Sequence, residues 1–244
     1  MLPGWSKLTI AGKPANVFRP GGVPRYALLF LHPFGRESPA DNAAYTEQLR
    51  PHNLACVAPW GAGSWWADRI DPEFDGELTA ERHLLRNVVP WMEAEWKLGP
   101  RAMAAAGISM GGQGAIRLGF KYPERFPVVA GVASAFDYYE RHGRGTSIDA
   151  MYSTRENCRQ DGAGLHVNPL KFPPHVWFAC DPADAEWFRG NDRLDEKLRA
   201  LGIGHTVDFD TARGGHCWDY FDAMAKPMTE FLVAGLEKES RRLV

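Results

Sequence analysis

The chain has 244 residues, 45% of them hydrophobic, enough for one sizeable core, and it reads as one domain spanning 1–244. Its 28 basic and 30 acidic residues leave a formal net charge of −2, which gives no basic field for nucleic acid or an anionic membrane. No apolar run reaches the ~18–20 residues that would span a bilayer, and residues 1–20 show no basic stretch followed by an apolar one, so a soluble, cytoplasmic protein is expected.

In chain order, residues 8–10 and 15–18, split by Gly12, predict a short hairpin. The uninterrupted apolar runs 26–31 and 54–59 predict strands buried on both faces, with a helix over 39–50 between them. A polar, aromatic loop follows over about 60–76. Between 77 and 96 the residues Leu84, Leu85, Val88, Val89, Met92 and Trp96 recur at helical spacing, and Pro90 interrupts the pattern. Residues 103–108 predict a strand and 112–122 a helix stopped by Pro123. Further strands are predicted at 128–133, 176–180 and 205–209, with helices at about 190–201 and 218–237. This alternation predicts an α/β fold with a mostly parallel central sheet and helices on both faces. The polar stretch 136–174 is too long for a structureless loop, so it is expected to hold short helices and to form a small lid insertion.

The segment Gly107-Ile108-Ser109-Met110-Gly111 is G-x-S-x-G between a predicted strand and a predicted helix. That pattern predicts a nucleophile elbow, a turn tight enough to need small residues on either side of the serine. A serine hydroxyl is a weak nucleophile unless a base takes its proton and a third group holds the base. In the order Ser, acid, His, the acid falls in Cys180-Asp181-Pro182-Ala183-Asp184, where Asp184 is preferred and Asp181 competes. The base falls in Gly214-Gly215-His216-Cys217-Trp218. The backbone N–H of Met110 is one expected oxyanion donor; the second is that of Phe34, because Pro33 has none.

His32 is expected to pin its own turn, and the remaining histidines show no ligand spacing, so no metal site is expected. Cys56, Cys158, Cys180 and Cys217 read as reduced thiols. Trp65, Trp66, Tyr138 and Trp218 are candidates to wall a substrate pocket; the alternative is that they pack the lid on the core.

Several stretches together carry a family resemblance: Arg101-Ala102 leading into Gly107 through Ala115, Tyr122-Pro123-Glu124-Arg125-Phe126, Asp184 with Asn191-Asp192 and Leu198, and Gly214 through Trp218. From about residue 25 to 235 the chain resembles the esterase D / S-formylglutathione hydrolase-like "putative esterase" family of α/β-hydrolases. That family also holds feruloyl and other carbohydrate-linked esterases and the mycolyl acyltransferases. The resemblance implies the α/β-hydrolase fold, Ser109 as nucleophile, Asp184 as acid, His216 as base and the Met110 N–H as oxyanion donor. It implies hydrolysis of a small-molecule carboxylic or thio-ester, with no metal or organic cofactor. Two positions depart from the family: Pro33 follows His32 where a glycine is usual, and Asp181 stands where a glycine commonly precedes the acid. The second carboxylate is expected to raise its neighbour's pKa by like-charge repulsion. The early loop is shorter than in S-formylglutathione hydrolases. The leading expectation is a serine esterase. Acyl transfer, a serine peptidase on the same fold and a catalytically silent binding protein are the alternatives, and a homodimer is left open.

Overall fold

The computed structural model describes residues 1–242. Its eight strands form one sheet in the order β1-β2-β4-β3-β5-β6-β7-β8. They are β1 Trp5–Ile10, β2 Lys13–Phe18, β3 Tyr26–Leu31, β4 Leu54–Pro59, β5 Met103–Ile108, β6 Val128–Val132, β7 His175–Ala179 and β8 Thr206–Asp208. From β4 to β8 every neighbouring pair is parallel, while β1 and β2 add an antiparallel hairpin at one edge. The mostly parallel sheet read from the alternation of elements is thus the sheet observed.

The central strands β3, β4 and β5 are buried at every position, which explains their unbroken apolar runs. Alternate residues feed two cores, one on each face of the sheet. On one face Leu29, Leu31, Val57 and Ala105 pack with helices α2 (Ala80–His83), α3 (Val89–Trp96), α4 (Met110–Lys121) and α7 (Phe188–Ala200). On the other, Leu28, Phe30, Cys56 and Ile108 meet α1 (Ala43–Leu49) and α8 (Trp218–Ser240). Among the described residues no helix is long and apolar enough to cross a membrane.

The helix expected over 77–96 is broken into α2, a wide π-type turn at Leu84–Val88, and α3. Pro90 sits in the first turn of α3. Val88 and Val89 before it are helical, so its missing N–H leaves one helical bond unmade; the wide turn takes up the misfit, and Arg125 Nη1 donates to the Leu85 carbonyl in that turn at 3.1 Å.

The stretch 136–174 holds α5 (Ser147–Met151), α6 (Arg155–Gln160) and two short 3-10 turns. It is tied to α4 by a buried charge network. Arg117, fully buried in α4, pairs with Glu81 on one side and Asp161 on the other. Its Nε also donates to the Asp161 carbonyl at 2.8 Å. Tyr152 donates to Asp161 at 2.8 Å, and Lys121 and Tyr122 reach Glu81 at 2.5 and 2.7 Å. Burial works against the Asp161 charge, but His166, Arg117 and Tyr152 outweigh it and hold the carboxyl well below the usual range.

Candidate active site

Ser109 links β5 to α4 with φ 53° and ψ −115°, a strained geometry that lifts its side chain out of the chain path. The glycines on either side are steric necessities. A Cβ at Gly111 would overlap the Leu31 carbonyl, and one at Gly107 would overlap the backbone of Gly111. The turn is bolted in place: the Ser109 N–H donates to Val132 at 2.8 Å, and its carbonyl accepts from Gln113 and Ala135, each at 3.1 Å.

His216 arrives from the loop between β8 and α8, where Gly214 and Gly215 adopt φ of 90° and 89°. Its Nε2 lies 3.1 Å from Ser109 Oγ, and its Nδ1 lies 2.8 Å from Asp184 Oδ2. Asp184 is 1% exposed; its Oδ1 accepts the amides of Glu186 and Trp187, both at 3.0 Å, and its Oδ2 also faces the Cys180 thiol at 3.7 Å. A proton on Nδ1 shared with Asp184 leaves Nε2 facing the serine hydroxyl as an acceptor.

Asp181 does not compete for His216. Its carboxylate accepts the amides of Ala183, Arg213 and Gly215 at 2.7, 2.5 and 2.9 Å. Burial works to raise its pKa, but these amides outweigh burial and hold it below the ordinary carboxylate range. Asp184 is thus the carboxylate of this turn that meets His216.

His32 pins its turn as expected. Nδ1 donates to the Pro33 carbonyl at 2.7 Å, and Nε2 accepts the Gly61 amide at 2.9 Å. Burial is the main cause that lowers its pKa to about 4. The neighbouring turn closes with the Arg36 amide on the Pro33 carbonyl at 2.9 Å. Among the described residues the Phe34 N–H donates to no acceptor. The Met110 N–H, first in α4, has no helical partner by position.

Of the four aromatic residues expected to wall a pocket, Trp66 and Tyr138 lie in the interior, as in the alternative of packing on the core. Trp66 is 1% exposed, donates to the His32 carbonyl at 3.2 Å and lies over Gly61 and Gly114. Tyr138 is wholly buried, shares a 3.1 Å hydrogen bond with Tyr152 and stacks on Trp65 at 5.0 Å. These two pack the interior because the loops carrying them fold inward. Trp65 is buried as well, wedged between Tyr138, Phe34 and Trp187. Trp218, half-buried at the start of α8, leans edge-on against Phe221 at 5.4 Å.

The rings beside His216 are ones that sequence reasoning missed: Phe221 at 4.9 Å and Trp187 at 6.4 Å. Their positions close to His216 and Asp184 in the chain are the signal that could have found them. Two cavities lie apart from this arrangement. One of about 500 Å³ is lined by Asn16, His32, Ser38 and Trp60 at the C-terminal ends of β3 and β4. The other, about 280 Å³, lies between 136–165 and α7. None of the four candidate pocket aromatics lines either.

Comparison with known proteins places this geometry in a family context. A family model described as "Putative esterase" matches residues 52–231. An acetyl esterase of Caldicellulosiruptor saccharolyticus is 25% identical over 199 residues, covering 74% of this chain and 72% of that protein. A diacylglycerol acyltransferase/mycolyltransferase, Ag85C, of Mycobacterium avium is 22% identical over 236 residues, covering 80% of this chain and 66% of its own length. Among solved structures, an S-formylglutathione hydrolase from Agrobacterium tumefaciens superposes with a TM-score of 0.76 at 17% identity, covering 95% of this chain and 94% of that one.

Proposed function

The chain belongs to the "Putative esterase" family and is a carboxylic ester hydrolase, and we propose that it works through an acyl-enzyme on Ser109, with His216 as base and Asp184 orienting it. The observation that carries this reading is the unbroken chain of contacts from Ser109 Oγ to His216 at 3.1 Å and from His216 to Asp184 at 2.8 Å.

In the first half-reaction Ser109 Oγ attacks the ester carbonyl carbon while its proton passes to His216 Nε2. The carbonyl oxygen becomes an oxyanion facing the amides of Met110 and Phe34, and Asp184 stabilises the imidazolium. The C–O bond to the alcohol breaks, and His216 returns the proton to the departing alcohol. In the second half-reaction a water molecule, deprotonated by the same His216, attacks the acyl carbon. The acid is released and Ser109 regains its proton.

The likeness to an acetyl esterase supports a small-molecule ester with a short acyl group as substrate. Hydrolysis of p-nitrophenyl acetate by wild type and Ser109→Ala tests the nucleophile. Equal rates in the two would remove the reading. A panel of esters and thioesters of graded acyl length then sets the substrate class.

A second reading keeps the acyl-enzyme and passes the acyl group to an alcohol instead of water. The likeness to the mycolyltransferase favours it. Product analysis in the presence of a competing alcohol separates the two.

A further inference from the structure

We propose that Asp181 is the positioning residue of the active site: its carboxylate builds the loop that delivers His216. The proposal rests on the reading of His216 as the base.

Bonds within the loop between β8 and α8 shape its two ends: Asp208 accepts the Asp210 and Thr211 amides, and Cys217 donates to the Gly215 and Arg213 carbonyls. Gly214 and Gly215 both take positive φ, which gives the unfolded and misplaced conformers of this stretch many alternatives. What ties the loop to the turn carrying Asp184 spans 32 and 34 residues: Asp181 Oδ2 accepts both the Arg213 and the Gly215 amides. Two backbone N–H groups, two residues apart, converge on one oxygen and form a concave anion cradle, with the anion supplied by the protein's own side chain. The other oxygen accepts the Ala183 amide at 2.7 Å.

The same short turn carries Asp184. The Asp184 N–H donates to the Asp181 carbonyl at 2.9 Å, so the two carboxylates share one rigid frame. One carboxylate holds the loop just before His216, and the other holds the His216 ring at 2.8 Å. Gly215 closes the joint: a Cβ there would stand 3.0 Å from the Ala183 carbonyl oxygen, so loop and turn touch backbone to backbone. Asp181 is wholly buried and all its bonds are to amides, so its charge has no other partner among the described residues. A carboxylate suits this place because both oxygens must accept. An asparagine would turn an NH2 group towards one of the amides.

The test uses the full chain with p-nitrophenyl acetate and the variants Asp181→Ala and Asp181→Asn, alone and on a His216→Ala background, with Ser109→Ala alongside. Circular dichroism checks that each is folded. Asp181→Ala is expected to lower kcat by roughly 100-fold, the cost of about 1 Å of misplacement at a reacting group, while KM stays within about twofold. Asp181→Asn, which keeps part of the cradle, is expected to lose about tenfold. The His216 Nδ1–H proton is expected far downfield in wild type and is expected to vanish or broaden in Asp181→Ala. On the His216→Ala background neither substitution should reduce the residual rate further, because Asp181 acts through His216.

Folded Asp181 variants with kcat within about twofold of wild type and an intact downfield proton would overturn the proposal, on the same scale of expected loss. So would an equal further loss on the His216→Ala background, which would mark a general structural role. If Asp181→Ala does not fold, Asp181→Asn alone decides. A fully active Ser109→Ala would instead bring down the underlying reading of the triad, an outcome distinct from all of these.

Discussion

His32 and Gly61 form a pair that only a neutral imidazole can make. Nε2 accepts the Gly61 amide hydrogen at 2.9 Å while Nδ1–H is committed to the Pro33 carbonyl at 2.7 Å. A proton on Nε2 would face the Gly61 N–H directly. The ring is buried and its pKa falls from 6.5 to about 4.

Acid is therefore expected to loosen the fold before it titrates any carboxylate of normal pKa. Between pH 6.5 and about 4 the unfolded chain binds a proton at His32 and the folded chain does not. Stability thus falls as pH drops through that window, by up to about 3 kcal/mol from this residue. His83, lowered to about 4 chiefly by burial, acts in the same direction. Urea unfolding at pH 7.5 and pH 5 measures the sum, and His32→Gln should shrink the difference between the two while lowering stability at pH 7.5.

Asp184→Asn should cut kcat by about 10²–10⁴-fold with little change in KM, because an amide holds the wrong tautomer of His216. The amide oxygen can still accept the Glu186 and Trp187 N–H groups that Asp184 Oδ1 holds at 3.0 Å, so the turn should survive. Steady-state kinetics together with thermal unfolding check both halves of this expectation.

Phe34 is expected to matter through its backbone alone. Its ring is 44% exposed and rests on Trp65, whereas its N–H has no partner among the described residues. Phe34→Ala should leave kcat within about threefold, while Phe34→Pro, which deletes the N–H, should cost about 10²–10³-fold. A similar loss in both variants would place the side chain, not the amide, in the reaction.

Glu81→Gln should destabilise the fold by about 3 kcal/mol, since it strips a wholly buried Arg117 of one of its two carboxylates. Lys226→Ala serves as the comparison: Lys226 and Glu230 form an exposed pair at 3.8 Å, and its loss should shift stability by no more than about 0.5 kcal/mol. Chemical unfolding midpoints of the two variants give the contrast directly.

The parts of the molecule that are local in sequence were legible in it. Strands such as Tyr26–Leu31 and Met103–Ile108 are buried on both faces, and that environment writes itself as an unbroken apolar run. Ser109 and His216 were legible because each is flanked by glycines that a tight or left-handed turn requires. The rest depended on partners brought from afar. Asp181 and Asp184 are three residues apart on one turn, and the preference for Asp184 had no contact behind it until the loop at 213–216 assigned the amides to one and the ring to the other. Trp66 and Tyr138 carry the residue types of a pocket wall, but the path of their loops takes them into the core. Arg117 is buried with its charge only because Glu81 and Asp161, from distant segments, close over it. The strands, the tight turn at Ser109 and the glycine-flanked position of His216 are written locally, each by a residue and its immediate neighbours. Which carboxylate contacts the histidine and which aromatics are buried followed from folding, because both depend on contacts between segments that the chain holds far apart.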